Sequence, residues 1–352
     1  MDKNRIRFGV IGCGQVAQLS HLPSIAALPQ AELKAICDVR ESVSKRVGEI
    51  FHVKHYVDYH KMIEEADLDA ISICTPESSH VPVAVEILGK GINTLCEKPI
   101  SNSITQAERL VQFEKKSKAK VMIAYMMRYD PGVKFVENML TKKEIGKPYV
   151  ANLTWFISDH IPLGGKSVFD RELENVCPNY ATSKELISAP AEAESPPDAI
   201  PLYYILGYGC HLINLLRGLL GEVKEVVSAY IRERRDTFVT LSHVGGCVSN
   251  IVMTDGQRCD WKEQLQVQCD NGAVELEIPL LYKRGSARVK VHKNDGTFAP
   301  SLPYTYRYTE EYKDFIHRAQ NGIAFKTDAT DGLQDLKIIR KVIDMSQEKR
   351  VS

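Results

Sequence analysis

Short apolar runs alternate with longer amphipathic stretches along the first part of the chain. Ile6–Ile11, Leu33–Cys37, Lys54–Val57, Ala70–Cys74, Ile92–Cys96 and Lys120–Tyr125 predict strands. Between them, a stretch reaching about Leu28, then Glu41–Phe51, Tyr59–Ala66, Val83–Lys90 and Ile104–Lys118, carry apolar residues at helical spacing. Gly91 offers a left-handed helix stop and Ser103 a helix cap. Strands alternating with helices imply right-handed crossovers and a parallel sheet.

The pattern then changes. Val133–Leu140 predicts a helix, Val150–Ile157 a strand, and Leu202–Leu220 a helix ended by Gly221. Val223–Ile231, Thr237–Val244, Val248–Met253, Leu265–Cys269 and Ala273–Ile278 alternate with the period of strands, and Asp270-Asn271-Gly272 marks a turn between two of them. Glu310–Gln320 and Asp328–Gln347 predict closing helices. The expected class is α/β: a doubly wound parallel sheet over 1–128, then an α/β domain over 129–352 built on a largely antiparallel open sheet. Residues 158–200 are polar and proline-bearing, too long for an ordinary connection. This segment is expected to cover a substrate pocket or reach a neighbouring subunit. Asp159, His160 and Asp170 near its start are either substrate contacts or solvated loop charges.

Composition narrows the function classes. Among 352 residues, 45 Lys and Arg balance 45 Asp and Glu, so no net field draws nucleic acid or an anionic membrane. No signal-peptide core stands before Ile6, and no apolar run is long enough to span a bilayer. The nine cysteines include no Cys-x-x-Cys pair and mostly occupy apolar contexts. Reduced thiols in a cytoplasmic enzyme explain them better than disulfides or a metal site.

The candidate chemistry stands at predicted strand ends. Gly12-Cys13-Gly14-Gln15-Val16-Ala17 follows the first strand directly. Its first glycine permits the tight bend, the second lets a pyrophosphate approach the backbone, and Ala17 lets helix and strand pack closely. Asp38-Val39 closes the second strand, where a carboxylate accepts hydrogen bonds from the adenosine ribose and repels a 2′-phosphate. NAD is therefore favoured over NADP, with Arg40 two residues on softening the preference. Asp38 has a plainer alternative role as cap of the helix from Glu41. Thr75-Pro76 and His80 follow the fourth strand, beside the expected cofactor crevice; His80 either touches cofactor or makes a structural hydrogen bond. Cys96-Glu97-Lys98-Pro99 places a lysine at the end of the fifth strand, where shielding from water tunes an ammonium for proton transfer.

In this order and at these strand ends, Gly12 to Ala17, Thr75-Pro76 with His80, and Glu97-Lys98-Pro99 resemble the Gfo/Idh/MocA family of NAD(P)-dependent oxidoreductases, which act mostly on sugars and cyclitols. Met127-Arg128-Tyr129-Asp130-Pro131 is similar to the family's junction between domains, and Ile145-Gly146-Lys147-Pro148 to a turn that follows it. The resemblance implies that Lys98 is catalytic and that Gly12, Gly14, Gln15, Val16, Asp38, Val39, Thr75, Pro76, His80, Glu97, Lys98 and Arg128 surround the cofactor. It also implies a homo-oligomer, dimer or tetramer. The family's second-domain motif reads Asp-x-Gly-x-His-x-x-Asp. Here Gly209 and His211 match, whereas Gly207 and Asn214 replace the two aspartates. His211 is then the second catalytic candidate, and Lys98, Tyr208, His211 and Asn214 are candidate contacts for a small polyhydroxylated substrate, with Tyr204 an alternative phenol. The leading expectation is an NAD-linked dehydrogenase or reductase. Two alternatives stay open: a redox-neutral enzyme that retains its NAD, and a catalytically weak NAD-binding regulatory protein.

Overall fold

The computed structural model describes residues 5–156, 205–232, 236–254, 262–279 and 282–351. They fold as two compact units. Of the described residues, the first unit holds 5–124 and 311–333, and the second holds those of 125–310 and 334–351. The sequence reading placed everything after residue 128 in the second domain, so the membership of 311–333 is a difference. Its cause is aromatic. Tyr312 and Phe315 are buried against Phe8 of the first strand, with ring centroids 5.4 and 5.7 Å away. An amphipathic helix announces that one face is covered, not which sheet covers it.

In the first unit, β1 (Ile6–Ile11), β2 (Ala31–Cys37), β3 (Lys54–Tyr56), β4 (Ala70–Ile73), β5 (Asn93–Cys96) and β6 (Val121–Ile123) form one sheet in the order β3-β2-β1-β4-β5-β6. Every pairing is parallel. All four residues of β4 are buried, as expected of a strand covered on both faces. The chain order reverses between β1 and β4, which opens a crevice at their carboxyl ends. The connecting helices are Glu41–Phe51, Tyr59–Glu65, Glu77–Gly89 and Ile104–Lys116. Asp58 caps the second of these through the His60 amide, and Ser103 the last through the Gln106 amide.

The second unit is built on β7 (Pro148–Phe156), β8 (Val223–Arg232), β9 (Asp236–His243), β10 (Val248–Thr254), β11 (Lys262–Cys269), β12 (Gly272–Glu277), β13 (Arg288–Lys293) and β14 (Gly296–Phe298). Their order is β14-β13-β12-β11-β7-β10-β9-β8. The sheet is mixed: β7 runs parallel to β10 and antiparallel to β11, and the remaining pairs are antiparallel. Along β7, Ala151, Leu153 and Trp155 are buried while Asn152 is exposed, the alternation of a sheet with one covered face. Helix Pro131–Thr141 is capped by Asp130, whose carboxylate accepts the Gly132 amide at 2.7 Å. The same oxygen accepts the Ala287 amide at 3.0 Å, tying the helix start to the approach of β13. A Cβ at Gly132 would stand 2.5 Å from the Ala287 carbonyl, so only glycine fits that approach.

Glu263 on β11 is the odd member of this interior. It is buried, and neither carboxyl oxygen has a hydrogen-bond partner among the described residues. Burial pushes its pKa up to about 8, with the Arg307 charge opposing and Asp130 reinforcing. The unfolded chain loses this proton at a lower pH than the folded one, so the contribution of Glu263 to stability falls as pH rises through the interval between the two values. Glu263→Gln keeps the shape without the charge. The variant is expected to show a higher Tm than the parent at about pH 9 and a smaller difference at about pH 6, measured by scanning calorimetry; parallel pH dependences would refute a neutral Glu263.

Candidate active site

The glycine turn begins where β1 ends. Gly12 has φ 90°, and a Cβ there would lie 2.5 Å from the Cys74 carbonyl oxygen, so both conformation and space demand glycine. A Cβ at Gly14 would meet nothing within 4 Å among the described residues, which leaves the backbone open to a close ligand. Gln15 and Val16 start the helical segment, which continues as a π-turn over Ala17–His21 and an α-helix over Leu22–Ala26. Ala17 is fully buried against the sheet.

Asp38 lies just past the end of β2, and its carboxylate holds this turn in place. It accepts the Cys13 amide at 2.9 Å, and the Arg40 amide and Nε both at 3.0 Å. The helix Glu41–Phe51 is preceded by Arg40 as its cap residue, with no side-chain cap bond, so the alternative role of Asp38 as helix cap does not apply. Val39, between them, is 77% exposed and available to a planar ligand.

The loops after β4 and β5 are stapled together by His80. Its Nε2 lies 2.8 Å from the Thr75 carbonyl oxygen and its Nδ1 2.8 Å from that of Pro99. Burial pushes the pKa of His80 down while both carbonyls oppose the shift. Of the two readings from sequence, the structural bond is present. Lys98 is half-buried at the end of β5, and its amide donates to Glu97 Oε2 at 3.1 Å. The other oxygen of Glu97 lies 2.8 Å from His21 Nε2. Burial works against the Glu97 anion, but the His21 hydrogen bond and the neighbouring Lys98 charge outweigh it and hold the carboxyl below its ordinary range. Sequence reasoning missed His21. Its signal was a polar residue between Leu19 and Leu22 on a segment that must pack, and such a group needs a buried partner.

The remaining candidates belong to the second unit. Arg128, on the 3-10 turn Met126–Tyr129, directs Nη1 to Asn214 Oδ1 at 3.4 Å and Nη2 to Glu137 at 3.5 Å. The Asn214 amide donates to Asp335 at 2.7 Å, and Arg217 reaches the same carboxylate at 2.7 Å. Asn214, fully buried, is thus committed to the interior of its own unit, alongside Arg128. His211 is buried at the start of helix Cys210–Leu220, its ring edge-on to Tyr125 at 6.1 Å. Tyr208 packs edge-on against Trp155 at 5.6 Å. Asp159, His160, Asp170 and Tyr204 lie outside the described residues. Among the described residues, no helix is long and apolar enough to cross a membrane.

Residues 6–125 match the model of the GFO_IDH_MocA oxidoreductase family, an NAD-binding Rossmann fold. The chain is 29% identical over 150 residues to a myo-inositol 2-dehydrogenase of Thermotoga maritima, a match that spans 42% of this chain and only 45% of that protein. It is 27% identical to an inositol 2-dehydrogenase of Salmonella typhimurium over 90% of this chain and 87% of that one. The fold extends over the whole length: an oxidoreductase from Agrobacterium radiobacter, solved in complex with NAD+, L-tartaric acid and magnesium, superposes with a TM-score of 0.74 at 16% identity, covering 97% of this chain and 96% of that one.

Proposed function

We propose that this chain, whose residues 6–125 match the model of the Gfo/Idh/MocA family of NAD(P)-binding oxidoreductases, transfers a hydride between NAD and a hydroxyl or keto carbon of a sugar, glycoside or cyclitol. The observation that carries the reading is Lys98: a half-buried lysine at the carboxyl end of β5, beside the sheet's switch point, with a buried Glu97 carboxylate bonded to its own amide. Inositol dehydrogenases among its relatives support a polyhydroxylated substrate.

The residues of the first unit fit a dinucleotide. Gly12 and Gly14 with Gln15 and Val16 would take the pyrophosphate, Asp38 and Val39 the adenosine, and Thr75, Pro76 and Glu97 the nicotinamide end. When bound, NAD supplies the hydride acceptor. Lys98 takes the hydroxyl proton in oxidation and returns it in reduction. In the second unit, His211 is the second proton-transfer candidate and Tyr208 the candidate for a substrate hydroxyl. The uncovered face of the second unit's sheet, with Asn152, Asn250, Gln264 and Gln266 neither buried nor charged, is the proposed surface for a homo-oligomer.

Lys98→Ala is expected to lower kcat by about 100-fold or more on the best substrate from a panel of inositols, sugars and keto-sugars, followed by NADH absorbance. Undiminished turnover would sink the lysine mechanism, and substrate conversion without net NADH would assign the redox-neutral alternative instead. Cofactor titrations should give a Kd for NAD lower than for NADP by about 10-fold or more, narrowed in Asp38→Ser; a preference for NADP in the parent would contradict the role given to Asp38. Light scattering should report a dimer or tetramer, and a monomer at micromolar concentration would remove the sheet-face interface.

A further inference from the structure

Behind Lys98 lies a line of side chains drawn from four separate elements of the first unit. Ser72 stands on β4, His21 at the end of the π-turn, Glu97 just past β5, and Tyr312 on helix Arg307–Asn321. Ser72 Oγ and Tyr312 Oη are 2.7 Å apart, Tyr312 Oη and His21 Nδ1 2.8 Å, and His21 Nε2 and Glu97 Oε1 2.8 Å. Ser72, His21 and Tyr312 are fully buried, and Glu97 nearly so. Phe8, edge-on at 5.4 Å, fixes the tyrosine ring.

The chemistry of the members gives the line a direction. An ionised carboxylate only accepts, so His21 donates from Nε2, which leaves Nδ1 to accept from the Tyr312 hydroxyl. The tyrosine oxygen then accepts from Ser72. Each bond has one donor and one acceptor, and the line ends on the carboxylate whose second oxygen receives the Lys98 amide. The other titratable groups around it are Lys98, His80, Cys74 and Glu311. Burial holds Cys74, Tyr312 and Glu311 in their neutral forms, and the Glu311 oxygens have no hydrogen-bond partner among the described residues. Of these groups Glu97 therefore carries the negative charge.

We propose that Ser72, Tyr312 and His21 are positioning residues that hold Glu97 as a carboxylate under the Lys98 backbone, so that Lys98 meets its substrate as a charged proton donor. The proposal rests on the reading of Lys98 as the proton-transfer residue and adds a working direction. An ammonium suits ketone reduction: the carbonyl oxygen takes the lysine proton while the carbonyl carbon takes hydride from NADH, leaving NAD+, an alcohol and a neutral lysine. Oxidation needs the neutral amine first and is deferred to higher pH.

The test reads Lys98 itself, on the full chain without added cofactor. Only the neutral amine reacts with acetic anhydride, so the acetylated fraction of the Lys98 peptide, followed by mass spectrometry against pH, gives the midpoint of its ionisation, with exposed Lys45 as internal control. Glu97→Gln removes the charge outright and sets the full downward displacement of the midpoint, expected to be about one unit or more. His21→Leu strands the Glu97 carboxyl in a dry site, where it takes a proton, and should approach the same displacement. Tyr312→Phe and Ser72→Ala should give progressively smaller displacements. His21→Gln, which keeps an N–H toward Glu97, should restore the parent midpoint. The proposal is overturned if His21→Leu matches the parent, if His21→Gln behaves as His21→Leu, or, should His21→Leu fail to fold, if Tyr312→Phe leaves the midpoint unmoved. Retained turnover in Lys98→Ala would instead refute the catalytic reading and leave the midpoints standing.

Discussion

A carboxylate taken out of water survives as an anion only if hydrogen bonds replace the solvent it gave up. Much of this structure follows from how it meets that constraint at buried acids. Asp38 and Glu97 lie beyond the carboxyl ends of parallel strands, each 6% exposed, and each accepts a backbone amide plus a side-chain hydrogen bond. Arg40 donates the latter to Asp38 and His21 to Glu97. Glu263 and Glu311 are equally buried but have no hydrogen-bond partner among the described residues, and both are held in the neutral form by burial. Asp38 and Glu97, so partnered, stand at the carboxyl edge of the parallel sheet. Those without partners are on β11 and on the helix Arg307–Asn321. Environment separates acids of one chemical kind into charged and uncharged roles.

The sequence made one half of this visible. The glycine turn, Asp38, the Thr75-Pro76 loop and Glu97-Lys98-Pro99 were readable because each is a local signal at the end of an apolar run, and a parallel sheet gathers such ends at one edge. What it did not show was the long-range half. Tyr312 reaches His21 across 291 positions, and no periodicity or spacing carries a pairing of that range. His21 itself looked like part of a packing helix. β13 and β14 escaped for a different reason. Val289 and Val291 alternate with Arg288, Lys290 and His292, and the charged positions on the open face obscure a short strand at the sheet's edge.

Asn214 shows a further limit. Against the family pattern it reads as a lost acid beside His211. In the fold its amide meets Asp335, which also pairs with Arg217, and its carbonyl side faces Arg128. A carboxylate at position 214 would stand next to the buried Asp335 carboxylate, and like charges in a dry site are costly. The amide and the acid at 335 therefore make one arrangement, legible only when both positions are seen together.

Two hydrogen bonds near Lys98 hold its backbone and its neighbour. Glu97 takes its amide, and His80 ties the carbonyl of the next residue, Pro99, to the loop after β4. Lysine carries a long stem with several rotatable bonds, and fixing every one of them would cost side-chain entropy before any substrate arrived. Clamping the base of the stem is cheaper and places the ammonium within a small volume at the strand end. Placement of the reacting group is where proximity contributes most to rate. On the proposed reading of Lys98, the buried acid and its hydrogen-bond line act on the root of this lysine.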